Sequence, residues 1–481
     1  MPTRTDRTDP IINTIKGIDI MKSVQLKLLA RVHPDWAINP ELSVIDTILE
    51  QYPKILEIAR TDYESILKES GLGRQDIPSL EQIIRAALYK KHRDITYAQL
   101  EYENFDSKLC ARFLKLDILK SSFSASTWQK YISVITSDTI REIFITVNQI
   151  AYDLGIANLH AVRLDSTAIE SNVHYPTNNS LLWDCIKEAH RLCKVIQALN
   201  MKLFNENTKV RNFKKQAKRN HFKINIIRRN HKSYKELFKL QLVILTKSIK
   251  QLERLDNILD IGKFESSVLK GNEEIKTIHK KVKGFIDIAN IVYRNTVKHE
   301  IENKEVLVRD KIFSIYEPHT DIIVKGGRHP IFGHKVNLIT GKSSLILYCN
   351  IEDGNPSDTS LYQGPIDKII KRYGVVPKSV STDGGYASIK NRDYAQKQKI
   401  QNIVFNKSVG KLQNIVSSKK METMLKKWRS GIEAVISNLK RGFSLRRVNW
   451  KGKNRFDANV LWSVLAYNFR VITNRLIELK I

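Results

Sequence analysis

The chain has 481 residues, 42% hydrophobic and 27% charged, which excludes a disordered polymer and is too long for one ordinary core, so two to four domains are expected. Eighty Lys and Arg against 50 Asp and Glu leave a formal charge of +30, which points to a polyanion, nucleic acid first, because cations gain by releasing counterions condensed on phosphates. No run of ~18 apolar residues occurs, so no membrane-spanning helix is expected. The start, MPTRTDRTDP, is charged and has no apolar run behind it, so no secretory leader is expected either. The four cysteines, Cys110, Cys185, Cys193 and Cys349, are scattered, as in a reduced cytoplasmic protein. Cys185, His190 and Cys193 lie close in sequence, but positions 185, 189 and 193 form one helical stripe, which reads better as a core face than as a zinc site.

Residues 1–75 read as a helical and mixed region, with NPELSVIDTILEQYPKILEIAR helical after its Pro and Ser start signals. A second helical block covers 76–155. SLEQIIRAALYKKH opens on a capping-type Ser and places Ile83, Ile84, Ala87 and Leu88 on one face; ITYAQLEYENF, CARFLKLD and SASTWQKYISVI continue it. Such helices suit DNA docking or a plain helical bundle equally. LHAVRLDST then reads as a short buried strand ending at Asp165.

Residues 181–305 return to helix. Between Met201 and Lys250 there are fifteen Lys and Arg against two Glu, with Phe204, Phe213, Phe222, Tyr234 and Phe238 interleaved. This predicts a basic helical hairpin inserted into a strand-rich domain and facing nucleic acid. Strands resume from about 311 with KIFSIYEP, FGHKVNLIT and SLILYCNIED, followed by a helix, LYQGPIDKIIKRYG, closed by a Gly cap. SVSTDGGYAS reads as strand and turn, NIVFNK as a strand, 419–442 as one long helix, and ANVLWSVLAYNFRVITNRLIEL as a final amphipathic helix. This mixture indicates an α/β domain formed by 156–180 and 306–481 around the helical insertion.

Three carboxylates have distinctive settings. Asp165 and Asp383 end strands, where open α/β sheets gather their ligands, and Gly384 and Gly385 behind Asp383 allow a tight turn or a close approach. Glu433 lies on a helix whose apolar stripe is Leu425, Trp428, Ile432, Val435, Leu439 and Phe443. Arg429, Glu433 and Lys440 follow one another beside that stripe at steps of four and seven. Carboxylates are the hard oxygen ligands that Mg²⁺ or Mn²⁺ requires for phosphodiester cleavage, and a pair of ions stabilises both the attacking and the leaving oxygen. Asp353 and Asp358 flank GNP and read as a turn and a helix start. Arg328, His329, His334 and Lys335 are placed near a turn, either touching DNA or solvated. His174 has no role that its chemistry requires, and Trp183 and Trp450 could stack on bases or fill cores.

RLDSTAIESNVHYPTNNSLLWD resembles the first-Asp region of ISNCY-type insertion-sequence transposases, within the wider DDE group. HTDIIVKGGRHPIFGHKVNLITGKSSLIL and EDGNPSDTSL resemble that family's middle strands, STDGGYAS its second-Asp motif, and WRSGIEAVISNLKRGFSLRRVNWKG its Glu helix. SLEQIIRAALYKKHRDITYAQLEYENF resembles the helical N-terminal domain. The Arg-Glu-Lys spacing of related enzymes is matched by Arg429, Glu433 and Lys440, with Lys426 where a Tyr often stands.

The resemblance spans about residues 75–470. It implies a ribonuclease-H-like catalytic domain interrupted by the helical insertion, with Asp165, Asp383 and Glu433 as catalytic and metal-binding residues for two Mg²⁺ or Mn²⁺ ions. Arg429, Lys440, Arg441, Arg446 and Arg447 are expected to contact DNA. The implied activity is cleavage at terminal inverted repeats and transfer into target DNA by a homo-oligomeric synaptic complex, cytoplasmic and at the nucleoid. The rival expectations are a ribonuclease-H-like nuclease without strand transfer and a domesticated DNA-binding protein.

Overall fold

The computed structural model describes residues 39–69, 76–117, 123–199, 210–262, 269–324, 329–406 and 412–478. Phe204 and Arg328, singled out above, lie outside them. The chain divides into two compact units, residues 1–172 with 334–481, and residues 173–333.

The first unit begins with helices. Asn39 caps α1 (Pro40–Gln51), its side chain accepting from Leu42 N with Pro at the first turn, and α2 (Lys54–Glu57) and α3 (Arg60–Glu69) follow. Ser79 and Gln82 form a reciprocal capping box at α4 (Leu80–Arg93), and Thr96 and Gln99 form another at α5 (Tyr97–Asp106). Next come α6 (Lys108–Phe113), α7 (Ala125–Ile132) and α8 (Ser137–Asp153). Burial on α4 extends beyond the predicted apolar face. Arg85 is fully buried, paired with Asp46 at 2.7 Å and Glu81 at 3.0 Å. Lys91 donates to Asn459 Oδ1 and Ser463 Oγ, both at 2.9 Å, and burial pushes its pKa well down. These two basic side chains hold the unit together instead of presenting charge to a ligand.

The sheet consists of β1 (Ala161–Ser171), β3 (Ile331–Gly341, within this unit from His334 on), β4 (Ile346–Ile351), β5 (Ser379–Asp383), β6 (Asn402–Asn406) and the short β7 (Arg447–Val448). Its order is β3-β1-β5-β6, with β4 antiparallel to β3 and β7 parallel to the end of β1. β1, β5 and β6 are mutually parallel, so each must be joined by a crossover. The helix α14 (Ile389–Lys397) links β5 to β6, and α13 (Gln363–Tyr373), capped by Gly374 at φ 65°, precedes β5.

The segment 419–442 is two helices, α15 (Lys419–Arg429) and α16 (Gly431–Gly442), where one was expected. The last helix, α17 (Lys453–Glu478), is not amphipathic. It is buried on nearly all sides against α1, α4, α8 and β4. Its polar Asn468 is fully buried and exchanges hydrogen bonds with both backbone groups of Ile346, at 3.0 and 2.8 Å, so the start of β4 is saturated.

Among its described residues the second unit packs four helices, α9 (Asn178–Leu199), α10 (Lys214–Ile226), α11 (Tyr234–Gly262) and α12 (Leu269–Thr296), in place of the expected hairpin. A core of Leu182, Cys185, Ile186, Ala189, Cys193, Phe238, Leu245, Leu252, Val282 and Ala289 joins them. A π-turn, Val297–Ile301, extends α12, and a short β2 (Asp321–Ile323) pairs antiparallel with residues 331–333. KIFSIYEP is not a strand. Ser314 Oγ accepts from the backbone of both Tyr316 and Glu317, which turns the chain and breaks the alternation. Among the described residues, no helix is long and apolar enough to cross a membrane.

Candidate active site

Parallel pairing sets the first two carboxylates side by side. The β1–β5 register runs from Ala161↔Ser379 to Leu164↔Thr382. The next rung brings Asp165 opposite Asp383, on the same sheet face at about the ~4.8 Å spacing of neighbouring strands. Asp383 ends β5 as expected, whereas Asp165 lies midway along β1, because β1 runs on to pair with β7 at Glu170 and Ser171. Asp165 therefore sits at the point where its neighbour strand ends.

Arg163, two residues before Asp165, fixes the third carboxylate. It is buried, donating from Nε to Thr340 Oγ1 (2.9 Å), from Nη1 to Trp428 O (2.6 Å) and from Nη2 to Ser344 Oγ (2.9 Å), with its guanidinium 4.7 Å from the Trp428 ring centre. The Trp428 carbonyl accepts both from Arg163 and from the Ser430 amide, and the expected single helix breaks at that point. Gly431 is required at the break, since a Cβ there would lie 2.2 Å from Arg163 Nη1. The stripe beside the break also differs from expectation. Leu425, Ile432, Val435, Leu439 and Phe443 are buried, but Trp428 is half-buried and Arg429, 6% exposed, takes the inner position.

Arg429 is the centre of the constellation. Nη2 donates to Asp165 Oδ2 at 3.0 Å and lies 3.9 Å from Asp383 Oδ1, while Nη1 donates to Glu433 Oε1 at 2.8 Å. One guanidinium thus gathers three carboxylates from β1, β5 and α16. They are graded in exposure: the side chain of Asp165 is 15% accessible, that of Asp383 47% and that of Glu433 61%. The cluster is open on the Glu433 side.

A fourth carboxylate borders it. Asp358 starts a 3₁₀ turn (Asp358–Leu361), as expected, but its Oδ1 also accepts from Ser166 Oγ at 2.8 Å and from Lys335 Nζ at 3.3 Å. Lys335 is buried in β3 and also donates to Pro356 O at 2.6 Å, so it is neither a solvated charge nor a DNA contact. His334 is equally buried, against Phe456. A Cβ at Gly385 would come within 3.0 Å of Asp358 Oδ2, so the close neighbour that this glycine admits is Asp358. Tyr386, fully buried, donates to Asn337 Oδ1; burial, then the charges of Asp358, Asp165 and Asp383, push its pKa well up and keep it protonated. Arg163, Ser166, Asp358 and Tyr386 escaped sequence reasoning as site residues. The available signal was an Arg two residues before Asp165 and a Ser directly after it, within a strand that begins apolar.

Asp358→Asn tests this border. The variant leaves the buried Lys335 ammonium without a charge partner, at a cost of about 2 kcal/mol, and loosens Ser166 beside Asp165. We expect a lower Tm and a roughly 10–100-fold loss of any activity of the cluster, the usual cost of losing a supporting partner. A variant with unchanged Tm and rate would remove Asp358 from the account.

Lys440 reaches back to β1, its Nζ donating to Ala168 O at 2.9 Å, and Arg441, Arg446 and Arg447 are exposed. Asp353 is exposed in a turn, and Trp450 packs against the core of the unit. In the second unit His174 pairs with Asp184 at 2.6 Å, and Trp183 stacks on His221. Among the described residues, no three His, Cys, Asp or Glu side chains lie close enough to hold a metal ion as they stand. At the triad the intervening group is Arg429. The donors nevertheless suit a hard cation: three carboxylates converge, and the position between them is already taken by positive charge.

Residues 317–469, about a third of the chain, match the family model of the transposase DDE domain. The matched stretch contains Asp383, Arg429, Glu433 and Lys440, and Asp165 lies outside it. The match supports a DDE transposase, and with it a DNA-processing enzyme. No curated protein and no solved structure matches the chain.

Proposed function

We propose that this chain is an insertion-sequence transposase of the ISNCY type, cleaving DNA at terminal inverted repeats and joining the freed ends to target DNA. The observation that carries the reading is the convergence of Asp165, Asp383 and Glu433 on Arg429. Three separate sequence motifs, two of them strand-borne and one helical, meet at one point. The parallel β1-β5-β6 group flanked by antiparallel β3 and β4 supports a ribonuclease-H-like domain. The segment 181–305 is then its basic insertion, and residues 1–75 and 76–155 its N-terminal regions.

In this reading Asp165, Asp383 and Glu433 hold two divalent ions, Mg²⁺ or Mn²⁺, which supply Lewis-acid stabilisation of the phosphoryl oxygens. Arg429 balances the carboxylates as they stand and, with divalent ions in its place, would be free to contact a DNA backbone phosphate. Its Nε, buried and without a hydrogen-bond partner, is a further donor for that task. Lys440, Arg441, Arg446 and Arg447 line the strand path, and Lys440, held by the Ala168 carbonyl, keeps the path against β1. In the first step water attacks the phosphorus, the P–O3′ bond breaks and a 3′-OH is freed. That hydroxyl then attacks a target phosphodiester, exchanging one P–O bond for another, so no high-energy cofactor is consumed. Joining two ends requires two copies of the site, hence a homo-oligomeric synaptic complex working at the nucleoid in the cytoplasm.

The test is a nicking assay on labelled DNA carrying the flanks of the gene, with Mg²⁺ or Mn²⁺ and an EDTA control. Wild type is expected to nick at the element end and Asp383→Asn is not. Nicking without strand transfer would reduce the reading to a nuclease. End binding without nicking would reduce it to a DNA-binding relic.

A further inference from the structure

The helix α10 presents an outer face that the packing of its own bundle does not explain. Ala217, Asn220 and Ile224 are buried and turn it toward α9 and α11. It is locked there by two buried amides. Asn179 Nδ2 donates to His221 O (2.9 Å) and Asn225 Oδ1 (2.7 Å), and Gln241 Nε2 donates to Ala217 O (3.3 Å). At 100° per residue, Lys215, Arg219, Phe222 and Ile226 occupy the opposite side, with Lys218 and Lys223 flanking them. Phe222 is 54% and Ile226 84% exposed, and Lys218 Nζ lies 5.8 Å from the Phe222 ring centre. From Val210 to Lys235 there are ten Lys and Arg and no Asp or Glu.

Such a face carries two large apolar side chains interleaved with the cations Lys215 and Arg219 on its crest, and Lys218 and Lys223 on its flanks. A membrane surface would instead select a broad, continuous apolar face. On α10 the broad apolar side is already buried in the bundle. The charges match a duplex, whose two phosphate rows flank a groove. A helix ~10–12 Å across fits the ~12 Å major groove and not the ~6 Å minor groove. At the groove floor the apolar feature is the thymine methyl group. Phe222 and Ile226 are four residues apart, a rise of ~6 Å, close to the ~6.8 Å of two base-pair steps.

We infer that α10 is a DNA-reading helix of the second unit, with its cations on the two phosphate rows and Phe222 and Ile226 against thymine methyls two base pairs apart. The inference rests on the chain acting on DNA, but not on the carboxylate chemistry.

The experiment selects duplexes from a random pool with the full-length protein, then remakes the selected duplexes with deoxyuridine for thymidine, which removes only the methyl. Wild type is expected to lose affinity about fourfold per methyl, about fifteenfold for two. The Phe222→Ala/Ile226→Ala variant, altered only at exposed positions, is expected to bind both duplexes alike with an unchanged salt dependence. Substituting Gln at Lys215, Lys218, Arg219 and Lys223 is expected to lower the slope of log affinity on log salt by about 3–4 while the thymine preference persists. Equal wild-type affinity for thymidine and deoxyuridine duplexes would overturn the inference, as would binding through this face to phosphatidylglycerol vesicles in place of duplex. Thymine discrimination by a protein that fails the nicking assay would leave the inference standing and remove the transposase reading.

Discussion

Asp165→Asn is expected to lower metal-dependent nicking by more than ~100-fold, beyond the ~10–100-fold typical of losing a supporting partner of a metal site. Asp165 is the least exposed of the three carboxylates and accepts from Arg429 Nη2 at 3.0 Å. Its Oδ1 also accepts from Ser166 N at 2.8 Å, a bond that an Asn oxygen can retain. The amide nitrogen then faces the Arg429 guanidinium, donor against donor, so the variant loses one charge-assisted bond, about 1.5–3 kcal/mol before discounting for partial exposure. The fold is expected to survive that loss. Nicking rate and thermal unfolding, measured on the same preparation, separate the two effects. A folded Asp165→Asn protein that nicks within tenfold of wild type would remove Asp165 from the chemistry.

Arg163→Met is expected to produce the largest loss of stability, about 2–4 kcal/mol, because the buried guanidinium makes three hydrogen bonds and stacks on Trp428. Methionine replaces the stem but leaves Thr340 Oγ1 and Ser344 Oγ without their donor. Arg163→Lys is expected to rescue little, since an ammonium cannot span the three acceptors as a planar fork does. Gly431→Ala reaches the same joint from the helix side by forcing the guanidinium away. All three substitutions shift the α15–α16 break, and with it Arg429 and Glu433, so activity falls with stability. Denaturant midpoints would show this, and an Arg163→Met protein with the wild-type midpoint would contradict the role given to the joint.

Most strands were legible because β1, β3, β4, β5 and β6 carry apolar runs between turn signals, and the capping-type Ser79 marked its helix by local chemistry alone. What could not be read was decided by tertiary contacts. Ser314 turned a strand-like segment into a coil by local hydrogen bonding. The helix break at Ser430 is held by an arginine 267 positions earlier (430 minus 163), and no local pattern announces it. Periodicity on α17 failed because a helix packed on nearly every side carries its polar residues inward, as Asn459, Ser463 and Asn468 do. The three carboxylates were legible by type and by their strand or helix setting. Their meeting at Arg429 was not, because a side chain drawn inward by three negative charges reads in sequence as another surface cation.

The most direct test of the central claim is the location of Mn²⁺ by anomalous scattering in crystals of the protein bound to its flanking-end DNA. The account predicts manganese held by Asp165, Asp383 and Glu433, with the Arg429 guanidinium withdrawn from Asp165 onto a backbone phosphate. Manganese elsewhere on the chain, with Arg429 still bonded to Asp165 and Glu433, would contradict it.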